Sequence, residues 1–290
     1  MSDGPRAFDV EMISLIAPDG QRVIATHFRP AEPKGPKVLI LSAIGVPARY
    51  YADYAKYLAG AGLETMTLDY RGIGASRPER LCGFTANLRD WAERDAEAAL
   101  DHLLTKDDRP VVVLGHSFGA QTIGLMPSGR KIAALLGIAA QTGDLAHWPR
   151  WRRIWSTMRL RVVVPALIAL FGYFPGRVLG GADLPAEIMR DISRYSRIPG
   201  FIKGESPHLH RYHDYRGPIR FYGFEDDTWG PIAAVEGLLD YYTDASDKVL
   251  VRVRPADYGA ESIGHVGFFK LGPQNRLWSE TREWIAAQSS

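Results

Sequence analysis

Val111-Val112-Val113-Leu114-Gly115-His116-Ser117-Phe118-Gly119-Ala120 decides how this chain is read. An apolar run that predicts a strand meets Gly-x-Ser-x-Gly, and residues 117–125 then have the character of a helix. A strand that turns sharply into a helix forces the middle residue into a strained backbone, and flanking side chains would collide. Gly115 and Gly119 remove those side chains. The Ser117 hydroxyl is then left at the C-terminal edge of the sheet. The helix that follows aims its N–H groups and dipole at any negative charge that develops there. The plainer alternative is a glycine-rich turn with an idle serine, and the strand and helix on either side argue against it.

Outward from this stretch, strands and helices take turns. Phe8–Ile16 and Val23–Phe28 flank Pro18-Asp19-Gly20 and predict a β-hairpin. Val38–Leu41 and Leu63–Leu68 read as strands, Tyr50–Leu58 as a helix, and 87–104 as a long amphipathic helix. Downstream, Ile132–Ala139, Pro218–Phe224 and Lys248–Arg254 read as strands, and Pro231–Tyr242 and Gln274–Ala287 as helices. Such alternation predicts an α/β fold with a mostly parallel central sheet and helices on both faces. The rhythm is lost from Gln141 to His213, where Trp, Arg, Pro and Gly cluster and no strand is evident. The expectation is one core built from residues 1–140 and 214–290, interrupted by a helical cap over 141–213.

Composition limits the function. The chain has 290 residues, 46% of them apolar, which is enough for one sizeable core. A formal net charge of +2 does not suggest a nucleic-acid partner. Cys82 is the single cysteine, so no intramolecular disulfide forms and nothing points to an oxidising compartment. The N-terminal stretch MSDGPRAF lacks the basic and apolar regions of a secretory signal. The longest apolar run, Val162–Phe174, holds a Pro and a Gly and falls short of the ~20 residues of a spanning helix. A cytoplasmic enzyme is expected. No GxGxxG follows a strand and no GxxxxGK[ST] occurs, so neither a dinucleotide nor a nucleotide triphosphate is implied.

A second motif, Asp69-Tyr70-Arg71-Gly72-Ile73-Gly74-Ala75-Ser76, has the form Asp-x-Arg-Gly-x-Gly-x-Ser. Together with the 115–119 motif it makes the chain resemble the α/β-hydrolase superfamily, as a serine hydrolase with a helical cap. The resemblance covers Phe8 to Ala140 and Pro218 to the end, not the cap. It implies Ser117 as nucleophile, followed along the chain by an acid and then a histidine, with no cofactor. The 69–76 motif marks the fold and is not taken as a site.

Of eight histidines only His265 follows the last strand, within Gly264-His265-Val266-Gly267, and it is the expected base. His116 lies inside the turn but points away from that base, and is read as packing or as support behind the site residues. The acid should follow the strand Pro218–Phe224, where Glu225, Asp226 and Asp227 stand together. The family often shows an Asp followed four positions on by a Pro, which favours Asp227 with Pro231; counting from Gly223 leaves Asp226 as the alternative. The oxyanion hole implied by the resemblance uses the N–H of Phe118 and one N–H from Ser42-Ala43-Ile44-Gly45-Val46-Pro47. Aligning Tyr51 with the aromatic that often follows places Ile44 as that donor, although the common His-Gly is absent. The expected reaction is cleavage of a hydrophobic small-molecule carboxylic ester or thioester through an acyl-enzyme. Acyl transfer, amide or peptide cleavage and C–C hydrolysis by the same triad are the alternatives.

The cap offers three readings. Trp148, Trp151 and Trp155 recur at helical spacing, among Arg150, Arg152, Arg153, Arg159, Arg161 and Arg177, with Asp144 as the nearby acid. They could form a lid for an apolar acyl chain and an anionic headgroup, or touch a membrane surface. At least as strong is a helix that buries its tryptophans on the core and leaves its arginines in water, so membrane contact is not favoured. His208, His210, His213 and Asp214 cluster, but their order fits no zinc-site pattern and no metal is expected. Nothing in the sequence sets an oligomeric state.

Overall fold

The computed structural model describes residues 8–178, 180–205, 208 and 210–289. The N-terminal residues 1–7, on which the reading of a missing secretory signal mostly rests, lie outside them. Eight strands form one sheet: β1 (Phe8–Ile16), β2 (Arg22–Pro30), β3 (Lys37–Leu41), β4 (Thr65–Asp69), β5 (Val111–His116), β6 (Ala134–Ile138), β7 (Ile219–Phe224) and β8 (Lys248–Val253). Their order is β1-β2-β4-β3-β5-β6-β7-β8. The β1–β2 and β2–β4 pairs are antiparallel and the rest are parallel. This is the α/β architecture expected.

The apolar run of β5 has a simple cause. Val111 and Val113 enter the hydrophobic core on one face of the sheet, while Val112 and Leu114 enter the core on the other. A strand buried on both sides cannot alternate with polar residues. It sits between β3 and β6 near the middle of the sheet, so the residue that follows it stands at the C-terminal ends of the parallel strands.

The principal helices are α1 (Ala52–Gly60), α2 (residues 88–104), α3 (Phe118–Gln121), α4 (Arg150–Phe171), α5 (Ala186–Tyr195), α6 (Ile232–Leu239) and α7 (Arg276–Ala286). The helix expected over 117–125 is shorter: α3 tightens into a 3-10 turn at Thr122–Gly124. Pro127 follows and cannot continue it. A short antiparallel bridge, Phe174 to Leu184, appears where no strand was evident.

The apolar run Val162–Phe174 corrects a sequence expectation. It does not stand alone, because α4 is one continuous helix of 22 residues, Arg150–Phe171, long and apolar enough to cross a membrane. Pro165 fails to break it because the turn before it, Arg159–Val163, is a π turn. There the Val164 N–H reaches the Arg159 carbonyl, five residues back. In that register Leu160 would look to Pro165, which has no N–H. The Ser193 hydroxyl of α5 donates to the Leu160 carbonyl instead, at 2.9 Å. The tryptophans are a second correction. Trp148 lies before the helix, and Trp151 and Trp155 are 60% and 58% exposed rather than buried on the core.

Candidate active site

Ser117 stands directly after β5 with φ 52° and ψ −115°, a conformation that residues with a side chain rarely adopt. The neighbouring glycines are sterically required. A Cβ on Gly115 would lie 2.4 Å from the Ala120 nitrogen, and one on Gly119 would lie 2.1 Å from the Leu41 carbonyl oxygen. The strain is held by packing: Ser117 is 6% exposed, and its N–H donates to the Ile138 carbonyl at 3.0 Å.

The Ser117 hydroxyl is 2.9 Å from His265 Nε2, and His265 Nδ1 is 2.7 Å from Asp227 Oδ2. The carboxylate accepts only, so Nδ1 carries the proton toward Asp227 and Nε2 is free to accept from Ser117. The Asp227 side chain is fully buried, and its other oxygen accepts from the Trp229 and Gly230 amides at 2.7 and 2.9 Å. The structure thus brings together Ser117, Asp227 and His265 from the ends of three different strands. Among the described residues, the amides of Ile44 and Phe118 donate to no protein acceptor, whereas the Ala43 amide is already taken by the Tyr51 hydroxyl.

Residues 38–271 match the sequence profile of the alpha/beta hydrolase family. This chain belongs to that family. It is a hydrolase, and its mostly parallel eight-stranded sheet with flanking helices is the α/β-hydrolase fold. Solved structures agree on the fold. An esterase of Pyrococcus furiosus shares 14% identity over 98% of this chain and 92% of its own, with TM-score 0.64. A soluble variant of monoglyceride lipase from Saccharomyces cerevisiae shares 13% over 99% and 96%, with TM-score 0.69. Mouse alpha/beta hydrolase domain-containing protein 10 shares 15% over 97% and 99%, with TM-score 0.58. At such identities the likeness is one of fold. No curated protein matches the sequence.

In this α/β-hydrolase the two candidate acids take separate positions. Asp227 bonds the imidazole, whereas Asp226 accepts the Ile263 and Gly264 amides at 2.8 and 3.0 Å. Asp226 therefore anchors the loop that carries His265. Gly264 sits at φ 56°, the left-handed region that suits glycine.

His116 supports the site from behind, one of the two roles its sequence position allowed, but it does not point away from the base: its ring centre lies 5.3 Å from that of His265. It is fully buried, and that burial, with the His265 ring nearby, pushes its pKa down to about 3. It is neutral at pH 7. Its Nε2–H donates to the His265 carbonyl at 2.7 Å, and its Nδ1 accepts from the Tyr51 hydroxyl at 2.8 Å. Tyr51 in turn accepts the Ala43 N–H at 2.9 Å. One directed chain of hydrogen bonds therefore joins the loop after β3 to the backbone of His265. Tyr51 was visible in the sequence only as an alignment landmark.

The 69–76 motif is bonded into the surrounding fold, in keeping with its reading as a fold marker. The buried Asp69 carboxylate accepts the Ala48 and Ala75 amides at 2.7 and 2.9 Å, and a Cβ on Gly74 would lie 2.0 Å from it. Arg71 lies between Asp95 and Asp19, at 2.6 Å from each. The His208 and His210 rings are 5.9 Å apart, and His213 bonds the Thr243 hydroxyl. Among the described residues no group of three His, Cys, Asp or Glu side chains is arranged to hold a metal.

Proposed function

We propose that this α/β-hydrolase is a serine hydrolase that cleaves a carboxylic ester or thioester of a hydrophobic small molecule. The observation that carries the reading is the Ser117–His265–Asp227 relay, with contacts of 2.9 and 2.7 Å around a buried carboxylate. Ser117 Oγ attacks the substrate carbonyl carbon while its proton passes to His265 Nε2. Asp227 keeps the imidazole in the right tautomer and stabilises the imidazolium that forms. The oxyanion of the tetrahedral intermediate is held by the unbonded amides of Phe118 and Ile44. The intermediate collapses as His265 protonates the departing alcohol or thiol, leaving an acyl-Ser117. Water, losing a proton to the same imidazole, attacks the acyl carbon; collapse releases the acid and returns the proton to Ser117. Every step uses groups of this chain and water, with no cofactor.

The segment 141–213 serves as the cap in this reading. Its Ala182 N–H bonds the Gly45 carbonyl at 2.8 Å, beside the proposed Ile44 donor. A cytoplasmic location belongs to the same proposal.

A series of p-nitrophenyl esters of increasing acyl length, with fluorophosphonate labelling, tests the reading. Wild type should hydrolyse the esters and be labelled at Ser117. Ser117→Ala should lose labelling and fall by about 10⁶ in kcat, and Asp227→Asn by about 10⁴. Labelling that persists in Ser117→Ala overturns the assignment. Products that keep the acyl group on an added alcohol rather than on water would make the enzyme an acyltransferase.

A further inference from the structure

Residues 145–182 contain six arginines and no acidic residue. α4 takes up most of this stretch. Trp151, Trp155, Met158 and Val162 follow at i, i+4, i+7 and i+11, and all are exposed, with Ile154 beside them at 66% and Leu170 further along at 73%. Only 11% of the most apolar 18 residues of α4 is buried. Soluble surfaces scatter single apolar side chains but rarely line them along one helix. The arginines are as unusual as the apolar stripe. In the core, Arg29, Arg71, Arg94, Arg109 and Arg252 each pair with a carboxylate. Among the described residues, Arg150, Arg153, Arg159 and Arg161 pair with none, while Arg152 reaches the Thr228 carbonyl at 2.5 Å.

That Arg152 bond ties the first turn of α4 to the loop that holds Asp227. The next residue on that loop, Trp229, is 53% exposed, and Val266, beside His265, is 42% exposed. Exposed apolar side chains therefore stand both on α4 and on the two loops that carry Asp227 and His265.

We propose that α4 docks, lying flat, on the surface of an anionic phospholipid bilayer, with the rim at Trp229 and Val266 on the same side. The indoles and aliphatic side chains enter the boundary between headgroups and acyl chains, and the free guanidinium groups take the phosphates. A second copy of this face is a poor occupant, because it would set arginines against arginines. Spanning is opposed by three attachments of α4 to the rest of the protein. Arg152 holds its start, Val164 and Ile168 are buried along its length, and Ser193 holds the Leu160 carbonyl.

Flotation of the full chain with vesicles of phosphatidylglycerol and phosphatidylcholine, against vesicles of phosphatidylcholine alone, tests this. Wild type and Ser117→Ala should float equally well with the anionic vesicles, so the result is independent of the catalytic reading. Neither should float with the neutral ones. Arg159→Gln with Arg161→Gln should lower partitioning by about 25-fold, at about fivefold per arginine near the surface. Trp151→Ala with Trp155→Ala should lower it at least as far. Both double variants should keep the wild-type melting temperature, since the changed side chains are exposed. Alkaline carbonate should release the bound protein. Absence of flotation, equal binding to neutral vesicles, or resistance to carbonate overturns the proposal. So does a dimer that the tryptophan variant dissociates in a chain that binds no vesicles.

Discussion

Helices α2 and α4 use the same backbone device and put it to opposite ends. Both are long, and each contains a π turn, at Trp91–Ala96 in one and Arg159–Val163 in the other. α2 begins with a capping box in which Asn87 and Asp90 satisfy each other's amides. Its Trp91 is fully buried, stacks on Tyr70 at 4.9 Å and donates its indole N–H to the Arg71 carbonyl. Its Asp95 meets Arg71, and its Glu97 accepts the Ser128 amide. α4 starts at Pro149 with no side-chain cap, buries only Val164 and Ile168 of its residues, and turns its tryptophans and arginines to solvent. The contrast teaches that helical form says nothing about which way a helix faces. The chemistry of α2 is consumed inside the protein, whereas that of α4 is left available.

The strongest way to break the comparison is to truncate a tryptophan in each helix. Trp91→Ala should cost about 3–5 kcal/mol in urea unfolding, and Trp155→Ala should stay within about 0.5 kcal/mol. Equal losses would mean that α4 is as integral as α2. Removing charge should divide the helices in the same way. Asp95→Asn removes one of the two carboxylates that hold the buried Arg71 and leaves Asp19 in place, so it should cost about 1–3 kcal/mol, against almost nothing for Arg159→Gln.

Acid sharpens the difference further. His116 has a native pKa of about 3, below the ordinary value of 6.5 in the unfolded chain. The unfolded state therefore binds the proton that the native state refuses. Stability contributed by this group is complete above pH 6.5 and is lost as pH falls from there toward 3. The expected slope is about 1.4 kcal/mol per pH unit within that window. His116→Gln should flatten that slope relative to wild type, whereas Arg159→Gln should retain it, because guanidinium does not titrate there. Identical slopes in wild type and His116→Gln would remove His116 as the cause.

The smallest effects concern how each helix is held. Asn87→Ala should lose about 1 kcal/mol of stability through its cap. Ser193→Ala should lose about as much by leaving the Leu160 carbonyl unbonded. Pro165→Ala offers that carbonyl an N–H again, so Ser193→Ala should cost less in its presence. A double-mutant cycle with no coupling would refute the account of the π turn.

The sequence by itself determined the strand–turn–helix around Ser117, the α/β alternation, the candidate histidine and the short list of acids. These are local requirements. A glycine has to stand where a Cβ would strike backbone, and a strand covered on both faces has to be apolar throughout. Only the tertiary structure decided which of Asp226 and Asp227 faces His265. Adjacent side chains leave a loop in different directions, and each finds its partner about 38 residues away in the folded chain. It also decided that His116 and Tyr51 join two loops, that a π turn carries α4 past Pro165, and that Trp151 and Trp155 face outward. Exposure depends on what other elements cover, and spacing along a helix fixes a stripe without fixing the side on which the rest of the protein lies.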